Sequence, residues 1–165
     1  MTTLSRDELF GILDEVKDPE VPVLSVVELG VVRDILPDDA GVTVVLTPTY
    51  SGCPAMHVIE REVVAALERH DLGRVRVKTV YAPAWTTDWL SDAARRKLEA
   101  YGIAAPGPAP RDDELVPLRR RAQVVACPYC RSTRTRIESE FGSTACKSIC
   151  YCEDCRQPFE LFKAI

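Results

Sequence analysis

The sequence lacks the segments and motifs that define several large protein classes. Among its 165 residues, no apolar run approaches the roughly 20 residues of a transmembrane helix. The N-terminal segment MTTLSRDELFGIL has acids and no long apolar core, unlike a secretory signal. The sequence also lacks the Glu-x-x-His pairs of a di-iron bundle, a Gly-rich flavin or nicotinamide fingerprint and the C-x₄-C-x₂-C cluster spacing. We therefore expect a cytoplasmic protein that is not itself a di-iron, flavin or nicotinamide enzyme.

Cysteine and charge are unevenly distributed along the chain. Six of the seven cysteines lie at or after Cys127, and an odd number in a chain without a signal favours metal ligands over a disulfide framework. Residues 1–118 carry a net charge of −8, whereas residues 119–165 carry +4. Most of the chain is therefore a poor nucleic-acid binder, and for the basic tail we rank a protein partner above nucleic acid.

The first hundred residues predict one two-layer α+β domain. Ser5 and Glu8 form the S-x-x-E pattern of a capping box at the start of an amphipathic helix. Two β-branched runs around a turn then predict an antiparallel hairpin. The predicted elements are a helix at about 6–17, strands at 31–36 and 42–47, a helix at about 54–70, a strand at 74–81 and a helix capped by Thr87 and ended by Gly102. The domain is predicted to occupy residues 1–103.

Residues 104–118 are predicted to be a linker. The stretch from Ala104 to Pro117 contains four prolines, one glycine and three consecutive acids, a composition typical of a stiff, exposed connection. Internal repeats and other low-complexity tracts are absent from the sequence.

Cys53 is the candidate functional thiol of the first domain. It stands between the second predicted strand and a helix expected to start at Pro54, because proline is favoured at the first helical position. A thiol at a helix start is expected to have a depressed pKa and to act as a nucleophile or metal ligand. His57 would share its helix face, and Thr47 would add a nearby hydroxyl. The alternative is that Cys53 is a small buried hydrophobe.

Two further groups of side chains are candidates for supporting roles. Asp18 and Glu20 lie in Asp18-Pro19-Glu20-Val21-Pro22, where two prolines force an extended segment; the alternative is a helix terminator with solvated acids. Trp85 and Trp89 lie in a loop where they could form a partner surface or cover the end of the core.

The tail predicts a zinc ribbon over residues 119–165. Cys127-Pro128-Tyr129-Cys130 and Cys152-Glu153-Asp154-Cys155 are two C-x₂-C knuckles, and four thiolates in such turns can close a tetrahedral zinc site. Strand-like runs at 123–126, 133–141 and 158–162 flank the knuckles. A module of this size should need the metal in order to fold. A redox dithiol or a cluster site is the alternative, and Cys146 and Cys150 have no assigned role.

Three segments together resemble the MIP18 family, the domain of unknown function 59: Asp18–Pro22, Glu28–Val32 and Thr47–Pro54. The resemblance covers residues 5–102. Within that family, the chain is most similar to the branch that serves phenylacetate degradation. This similarity rests on Pro83, Trp85 and Thr86 and on the tail segments 139–147 and 158–163. Two positions differ from this branch. Cys150 stands where an aromatic residue is usual, and Ala164 stands where a cysteine is usual.

The resemblance implies an iron–sulfur assembly fold and a role beside the multicomponent oxygenase that epoxidises phenylacetyl-CoA. The family's central cysteine falls on Cys53 and its acidic element on Asp18 and Glu20. One interpretation is a factor that assembles an iron–sulfur cluster in the reductase component or transfers a cluster to it. Cys53 would then be a transient ligand of the cluster, and zinc would occupy the ribbon. Two copies of the chain could share the bound cluster as a homodimer. The other is a non-catalytic adaptor of the oxygenase complex that docks through its ribbon.

Overall fold

The computed structural model describes residues 4–109 and 124–165 of the chain. Most of the predicted linker and the start of the predicted ribbon, including Arg119–Arg121, lie outside the described residues. The chain divides into two compact units, Met1–Trp85 and Thr86–Ile165.

The first unit begins with a helix that is capped as predicted. Helix α1 spans Arg6–Leu13. The Glu8 N–H donates to Ser5 Oγ at 3.3 Å, and the Ser5 N–H donates to Glu8 Oε2 at 2.7 Å, so both halves of the capping box are present. The helix ends four residues earlier than predicted, and a turn-rich segment leads to the first strand.

The sheet of the first unit has three strands in the order β1-β2-β3. Strands β1, Val32–Asp38, and β2, Gly41–Leu46, form the predicted antiparallel hairpin. Helix α2, Met56–Glu68, then returns the chain to β3, Arg74–Thr79, which pairs in parallel with β2, as a crossover connection allows. Gly41 has φ 152°, and a Cβ there would overlap the Arg74 backbone carbonyl, so the hairpin approaches β3 closely only because this residue is glycine.

Apolar side chains from both helices and the sheet form the core of the first unit. Those that are at most 1 % exposed include Leu9, Leu13, Ile35, Val44, Leu46, Ile59, Val63 and Leu67. On α2 the spacing of Ile59, Val63 and Leu67 follows the helical period. These elements make a two-layer arrangement of helices on a sheet, and the predicted α+β class is confirmed.

The second unit combines one helix with a four-stranded sheet. A 3₁₀ turn, Thr87–Trp89, precedes helix α3, Asp92–Ala100, whose cap is Ser91 rather than the predicted Thr87. The strands, in the sheet order β4-β7-β6-β5, are β4 Ile103–Ala104, β5 Thr135–Ser139, β6 Lys147–Cys152 and β7 Pro158–Phe162. The predicted strand at 123–126 is not a strand over its described residues, and β6 was not predicted.

Helix α3 and strand β4 belong to the second unit. Strand β4 pairs in parallel with β7, and α3 contacts β4. The sequence predicted α3 as the last helix of a first domain ending at residue 103, a boundary that falls inside β4. That boundary stays a prediction, but the contacts of these elements group them with the ribbon strands. Within residues 4–109 and 124–165, no helix has both the length and the hydrophobicity that crossing a membrane would need.

Candidate thiol and metal sites

Cys53 lies in a turn between β2 and α2. Its N–H donates to the Tyr50 carbonyl at 3.2 Å, and its own carbonyl accepts from the Met56 N–H at 3.3 Å. Helix α2 begins at Met56 with Ala55 as its cap. The helix therefore starts two residues later than the predicted start at Pro54, and Cys53 lies two residues before its cap rather than at or next to it.

The electrostatic environment of Cys53 opposes ionisation. Burial raises the pKa of the Cys53 thiol, and the carboxylates of Glu20 and Asp18 raise it further. Hydrogen bonds from the Ala55 N–H and the Tyr50 side chain act in the opposite direction but do not compensate. The prediction of a depressed pKa is therefore wrong, because burial and the two acids raise the pKa of Cys53 by more than the hydrogen bonds near the helix start lower it.

Asp18 and Glu20 differ in their surroundings although both act on Cys53. Asp18 is 5 % exposed, and its Oδ1 accepts the N–H groups of Glu20 at 2.8 Å and Val21 at 2.7 Å. Glu20 is partly exposed. The charges of both acids thus act on the thiol, while Asp18 accepts local backbone N–H groups and Glu20 is partly exposed.

Thr47 and His57 have contrasting positions near the ends of the same loop. Thr47, directly after β2, is 1 % exposed, and its Oγ1 has no hydrogen-bond partner within the described structure. A buried hydroxyl without a partner is uncommon and costs stability. His57 is exposed on the first turn of α2. Because Cys53 lies outside the helix, the predicted i, i+4 relationship between it and His57 does not apply.

Trp85 is packed into the first unit. It is 3 % exposed, and its Nε1 donates to the Leu29 carbonyl at 2.9 Å. This position favours the alternative in which it covers the end of the core, since so little of its surface is available to a partner. Trp89 is partly exposed in the 3₁₀ turn of the second unit.

The four knuckle cysteines of the second unit converge on one point. The Sγ atoms of Cys127, Cys130, Cys152 and Cys155 all lie within 4.8 Å of one another. Sγ of Cys127 is 3.7 Å from that of Cys155, and Sγ of Cys130 is 3.6 Å from that of Cys152. A tetrahedral ion about 2.3 Å from each sulfur would separate the sulfurs by about 3.8 Å. The residues therefore fit a tetrahedral metal ion that joins the two knuckles.

The two knuckles repeat one backbone pattern. Cys127 donates its N–H to Ser132 and accepts from the Arg131 N–H, both at 2.9 Å; Cys152 does the same with Gln157 at 3.0 Å and Arg156 at 2.9 Å. Arg131 and Arg156 have φ values of 65° and 58°, a left-handed conformation uncommon for residues with a side chain. The repetition means that both thiol pairs are presented by turns of the same kind.

Cys146 and Cys150 are outside the metal-ligand group. Both are buried, and Cys150 packs in the hydrophobic core of the second unit with Phe159 and Leu161. Cys146 Sγ lies 3.1 Å from Thr144 Oγ1. Within residues 4–109 and 124–165, the knuckle cysteines are the only group of three or more potential ligands this close together; Cys53, Asp18 and Glu20 are not such a group.

Several contributing residues were missed by sequence reasoning. The Ala55 N–H, which hydrogen-bonds Cys53, is one of them, and no side-chain signal marks it. The Tyr50 side chain also hydrogen-bonds Cys53, and its hydroxyl was visible in the sequence near the cysteine. Ser25 and Glu28 form a second reciprocal cap: the Glu28 N–H donates to Ser25 Oγ at 2.9 Å and the Ser25 N–H to Glu28 Oε2 at 3.0 Å. Their S-x-x-E spacing was a usable signal for this cap.

Comparison with known families divides the chain in a similar way. Residues 6–81 match the family described as iron–sulfur cluster assembly protein, and residues 111–163 match the PaaD zinc beta ribbon domain. One subunit of the "Putative 1,2-phenylacetyl-CoA epoxidase" of Escherichia coli is 40 % identical over 96 % of this chain and 92 % of its own length. The similarity to that protein thus spans both units.

Smaller relatives match only part of the chain. The Fe–S protein maturation auxiliary factor YitW of Bacillus subtilis is 38 % identical over 54 % of this chain and 89 % of its own length. A crystal structure of a DUF59 domain from Bacillus anthracis superposes with a TM-score of 0.53 at 28 % identity, covering 56 % of this chain and 90 % of that one. A conserved hypothetical protein from Thermotoga maritima gives 0.51 at 31 % identity, covering 59 % and 98 %.

Proposed function

The chain belongs to the same family as the Escherichia coli epoxidase protein, an iron–sulfur assembly domain followed by a zinc ribbon, and from this membership we propose that it is an accessory protein of a phenylacetyl-CoA ring-epoxidising oxygenase. Its task is to assist the assembly of an iron–sulfur cluster in the reductase component, or its transfer there. The observation that carries the proposal is Cys53, a half-buried thiol whose pKa is raised by burial and by the charges of Glu20 and Asp18, in the region that matches the assembly family.

Cys53 would act as a transient ligand of iron or of a cluster. With its pKa raised, the side chain is a neutral thiol at neutral pH until the cargo binds, and its proton then passes to water as the sulfur–iron bond forms. One thiolate per chain is too few for a stable four-cysteine site. The remaining ligands would come from a second copy of the chain or from the client, so the cargo is held weakly and can be passed on.

The ribbon would bind one zinc ion through Cys127, Cys130, Cys152 and Cys155. The sulfur–sulfur distances and the paired knuckles support this ligand set. Bound zinc would cross-link the two turns and stabilise the second unit without entering the chemistry at Cys53. The ribbon, with the partly exposed Trp89, would then dock the oxygenase components.

The reductase is the client that fits this chemistry best. A reductase that feeds electrons one at a time to a di-iron centre commonly carries a [2Fe–2S] cluster, so it is the component with a cluster to be assembled. Nucleic acid is not a proposed partner, because the chain is acidic as a whole, with a net charge of −4.

Co-production of the oxygenase components tests this function. They would be made with the wild-type chain, with Cys53→Ser, with Cys146→Ser as a control for a buried thiol outside both sites, or without this protein. Iron and sulfide in the purified reductase and epoxidation of phenylacetyl-CoA are then measured. Low cluster content with Cys53→Ser and normal content with Cys146→Ser is the expected result; full content and activity with Cys53→Ser contradicts assembly.

A non-catalytic adaptor is the second candidate. Over the part of the chain that the structure describes, Cys53 does not belong to a group of three close ligands, which favours a protein that holds the complex together rather than one that binds a cluster. An adaptor predicts that Cys53→Ser retains both cluster content and activity, whereas loss of the ribbon metal separates the components in size-exclusion chromatography.

A further inference from the structure

Two adjoining cavities lie on the surface of the second unit. The larger, of about 620 Å³, is lined mostly by apolar and aromatic residues, whereas the smaller, of about 570 Å³, is lined by most of the charged ones. Tyr101, Gly102 and Tyr129 line both cavities, so the two join along these residues. Since cavities of this volume accommodate groups of a bound partner, this surface is a candidate docking site.

The exposed side chains on this surface are of the kinds that anchor a protein partner. Tyr101 and Tyr129 are each 58 % exposed, and Ile149, in the larger cavity, is 36 % exposed. Large apolar side chains gathered on an exposed surface mark interaction sites. Arg96 and Arg131 line the smaller cavity, and tyrosine and arginine are prominent among the residues that dominate binding energy in interfaces. The surface therefore combines apolar anchors with guanidinium groups.

The carboxylates that line the two cavities are already neutralised by cations of the chain. Glu99 accepts from Arg131 at 2.8 Å, and Glu160 pairs with Lys147 at 2.9 Å. Arg131 uses Nη1 for this contact, and its side chain is still 68 % exposed. Arg96 is exposed and has no ion-pair partner within the part of the chain that the structure describes. The charge left open on this surface is therefore positive and complementary to a carboxylate.

The first knuckle turn holds part of this surface in place. Tyr129 lies between Cys127 and Cys130, two of the four converging cysteines. Arg131 follows directly, and its N–H donates to the Cys127 carbonyl at 2.9 Å. Gly102 has φ 90°, and a Cβ there would lie 2.8 Å from the Tyr129 hydroxyl oxygen, so glycine is what lets the tyrosine approach this closely. A metal bound by the knuckles would therefore also fix Tyr129 and Arg131.

The two cavities adjoin but differ in chemistry, and this difference defines what can bind across them. We propose that they dock an acidic peptide segment of a protein partner, with an apolar side chain of the segment in the larger cavity and a carboxylate bound by Arg96 and Arg131. The identity of the partner, a component of the oxygenase, rests on the proposed function. The surface and the chemistry of the bound segment do not.

Single-stranded nucleic acid is the competing occupant. Its bases stack on exposed aromatic side chains, and arginines bind its phosphates. Each cavity, however, also contains a carboxylate, Glu99 or Glu160, and the chain carries a net charge of −4. Both features disfavour a phosphate backbone. A segment with one acid near an apolar residue fits the surface better.

The aromatic part of the surface is tested by binding of the full zinc-loaded chain to the purified reductase and to the purified oxygenase subunits, measured by isothermal titration calorimetry. Tyr101→Ser should weaken binding at least about tenfold, because Tyr101 lines both cavities. Tyr81→Ser is the matched control, since Tyr81 is 62 % exposed in the first unit, and it should bind as wild type does. Tyr129 is left unchanged, because its replacement would also disturb the metal turn. Thermal unfolding and zinc content of each variant are measured alongside.

The charge is tested at Arg96. Arg96→Glu should weaken binding at least about tenfold and reduce its dependence on salt, because an opposite charge across the interface is lost. Lys97→Glu makes the same change of charge at the next residue of α3, which lines neither cavity, and should stay within about threefold of wild type. Overlapping peptides from the component that binds then identify the segment, and replacing its acid by the amide should weaken binding to the wild-type chain but not to Arg96→Glu.

Three results would overturn the proposal. The first is that no oxygenase component binds the wild-type chain, and the second is that Tyr101→Ser and Arg96→Glu bind as tightly as wild type. The third is that a single-stranded oligothymidine binds the wild-type chain but not Tyr101→Ser, which would make the surface a nucleic-acid site.

Cluster content and binding are separate measurements, so the failure of this inference differs from that of the proposed function. Normal cluster content with Cys53→Ser, together with binding weakened by Tyr101→Ser, would retain the docking surface and remove the assembly function. Low cluster content with Cys53→Ser, together with unchanged binding in Tyr101→Ser and Arg96→Glu, would do the reverse.

Discussion

Trp85 and Leu29 are joined by a hydrogen bond from the indole Nε1 to the backbone carbonyl, 2.9 Å long and spanning 56 residues of sequence. It ties the end of the first unit to the turn that precedes β1. Trp85 is 3 % exposed, so its ring is packed inside the fold. Its one polar atom has a hydrogen-bond partner there, as is usual for buried tryptophans.

Replacing Trp85 should therefore lower stability. Trp85→Phe keeps most of the packing but leaves the Leu29 carbonyl without this donor, and should cost about 1–2 kcal/mol. Trp85→Ala should cost about 3–5 kcal/mol. Urea unfolding measures both, with Trp89→Phe as the comparison at a partly exposed site. If Trp85→Phe leaves the unfolding free energy unchanged but weakens binding to an oxygenase component, Trp85 would instead be part of a partner surface.

Metal removal should affect the two units differently. We expect about one zinc per chain. A strong chelator should increase hydrogen exchange in β5, β6 and β7 while β1–β3 stay protected, because Cys127, Cys152 and Cys155 pack with the core of the second unit. Cys127→Ser should lose zinc and Cys146→Ser should keep it. Full zinc occupancy in Cys127→Ser would mean that the ligand set is wrong.

Alkylation of Cys53 should be slow in the folded, iron-free protein. Burial and the neighbouring acids raise the pKa of the thiol, so less thiolate is present at neutral pH than in a model peptide. Glu20→Gln removes one negative charge, lowers the pKa of Cys53 and should increase the labelling rate at neutral pH. Iodoacetamide kinetics between pH 6 and 10 measure the effect. Labelling faster than that of a model peptide would contradict the described environment.

The ion pair between Lys147 and Glu160 should make the second unit sensitive to acid. Their N–O distance is 2.9 Å, with side chains 5 % and 28 % exposed, and Glu160 also accepts from the Ser143 N–H. Burial by itself raises the pKa of Glu160, but these partners lower it overall from the ordinary 4.5. A carboxyl with a depressed pKa stabilises the fold above its ordinary pKa, and this contribution is lost as pH falls through the folded value.

Lys147→Met tests the pair directly. It leaves Glu160 without its cation and should cost about 3 kcal/mol, measured by thermal unfolding of the zinc-bound chain at neutral pH. The double variant Lys147→Met/Glu160→Gln should recover part of the loss, because it removes the uncompensated charge. A single variant as stable as wild type would show that the pair contributes nothing.

Local signals predicted much of this protein. The Ser5 capping box, the hairpin around Gly41 and the two C-x₂-C knuckles are each determined within a few residues, and each is present in the structure. Strand β6 was not predicted because its sequence, Lys147-Ser148-Ile149-Cys150-Tyr151-Cys152, does not alternate polar and apolar residues. Its buried residues also include cysteines, which the spacing indicates as metal ligands or leaves without an assigned role.

Properties set by distant residues could not be predicted in this way. The pKa of Cys53 depends on burial and on acids more than thirty positions earlier, whereas the sequence showed only the helix that follows. The turn role of Asp18 depends on backbone N–H groups whose direction the prolines alone did not define. The grouping of α3 with the ribbon depends on β4 pairing with a strand over fifty residues later.

That grouping has a practical consequence for dissecting the chain. Arg95 of α3 donates to the Pro106 carbonyl at 2.6 Å and to the Thr87 carbonyl at 2.8 Å, and Glu99 accepts from Arg131 at 2.8 Å. A fragment ending at residue 103, where the sequence suggested a boundary, would keep the helix but discard Pro106, Arg131 and β7. A fragment ending at Trp85 would retain the first unit whole, so limited proteolysis should leave α3 with the ribbon.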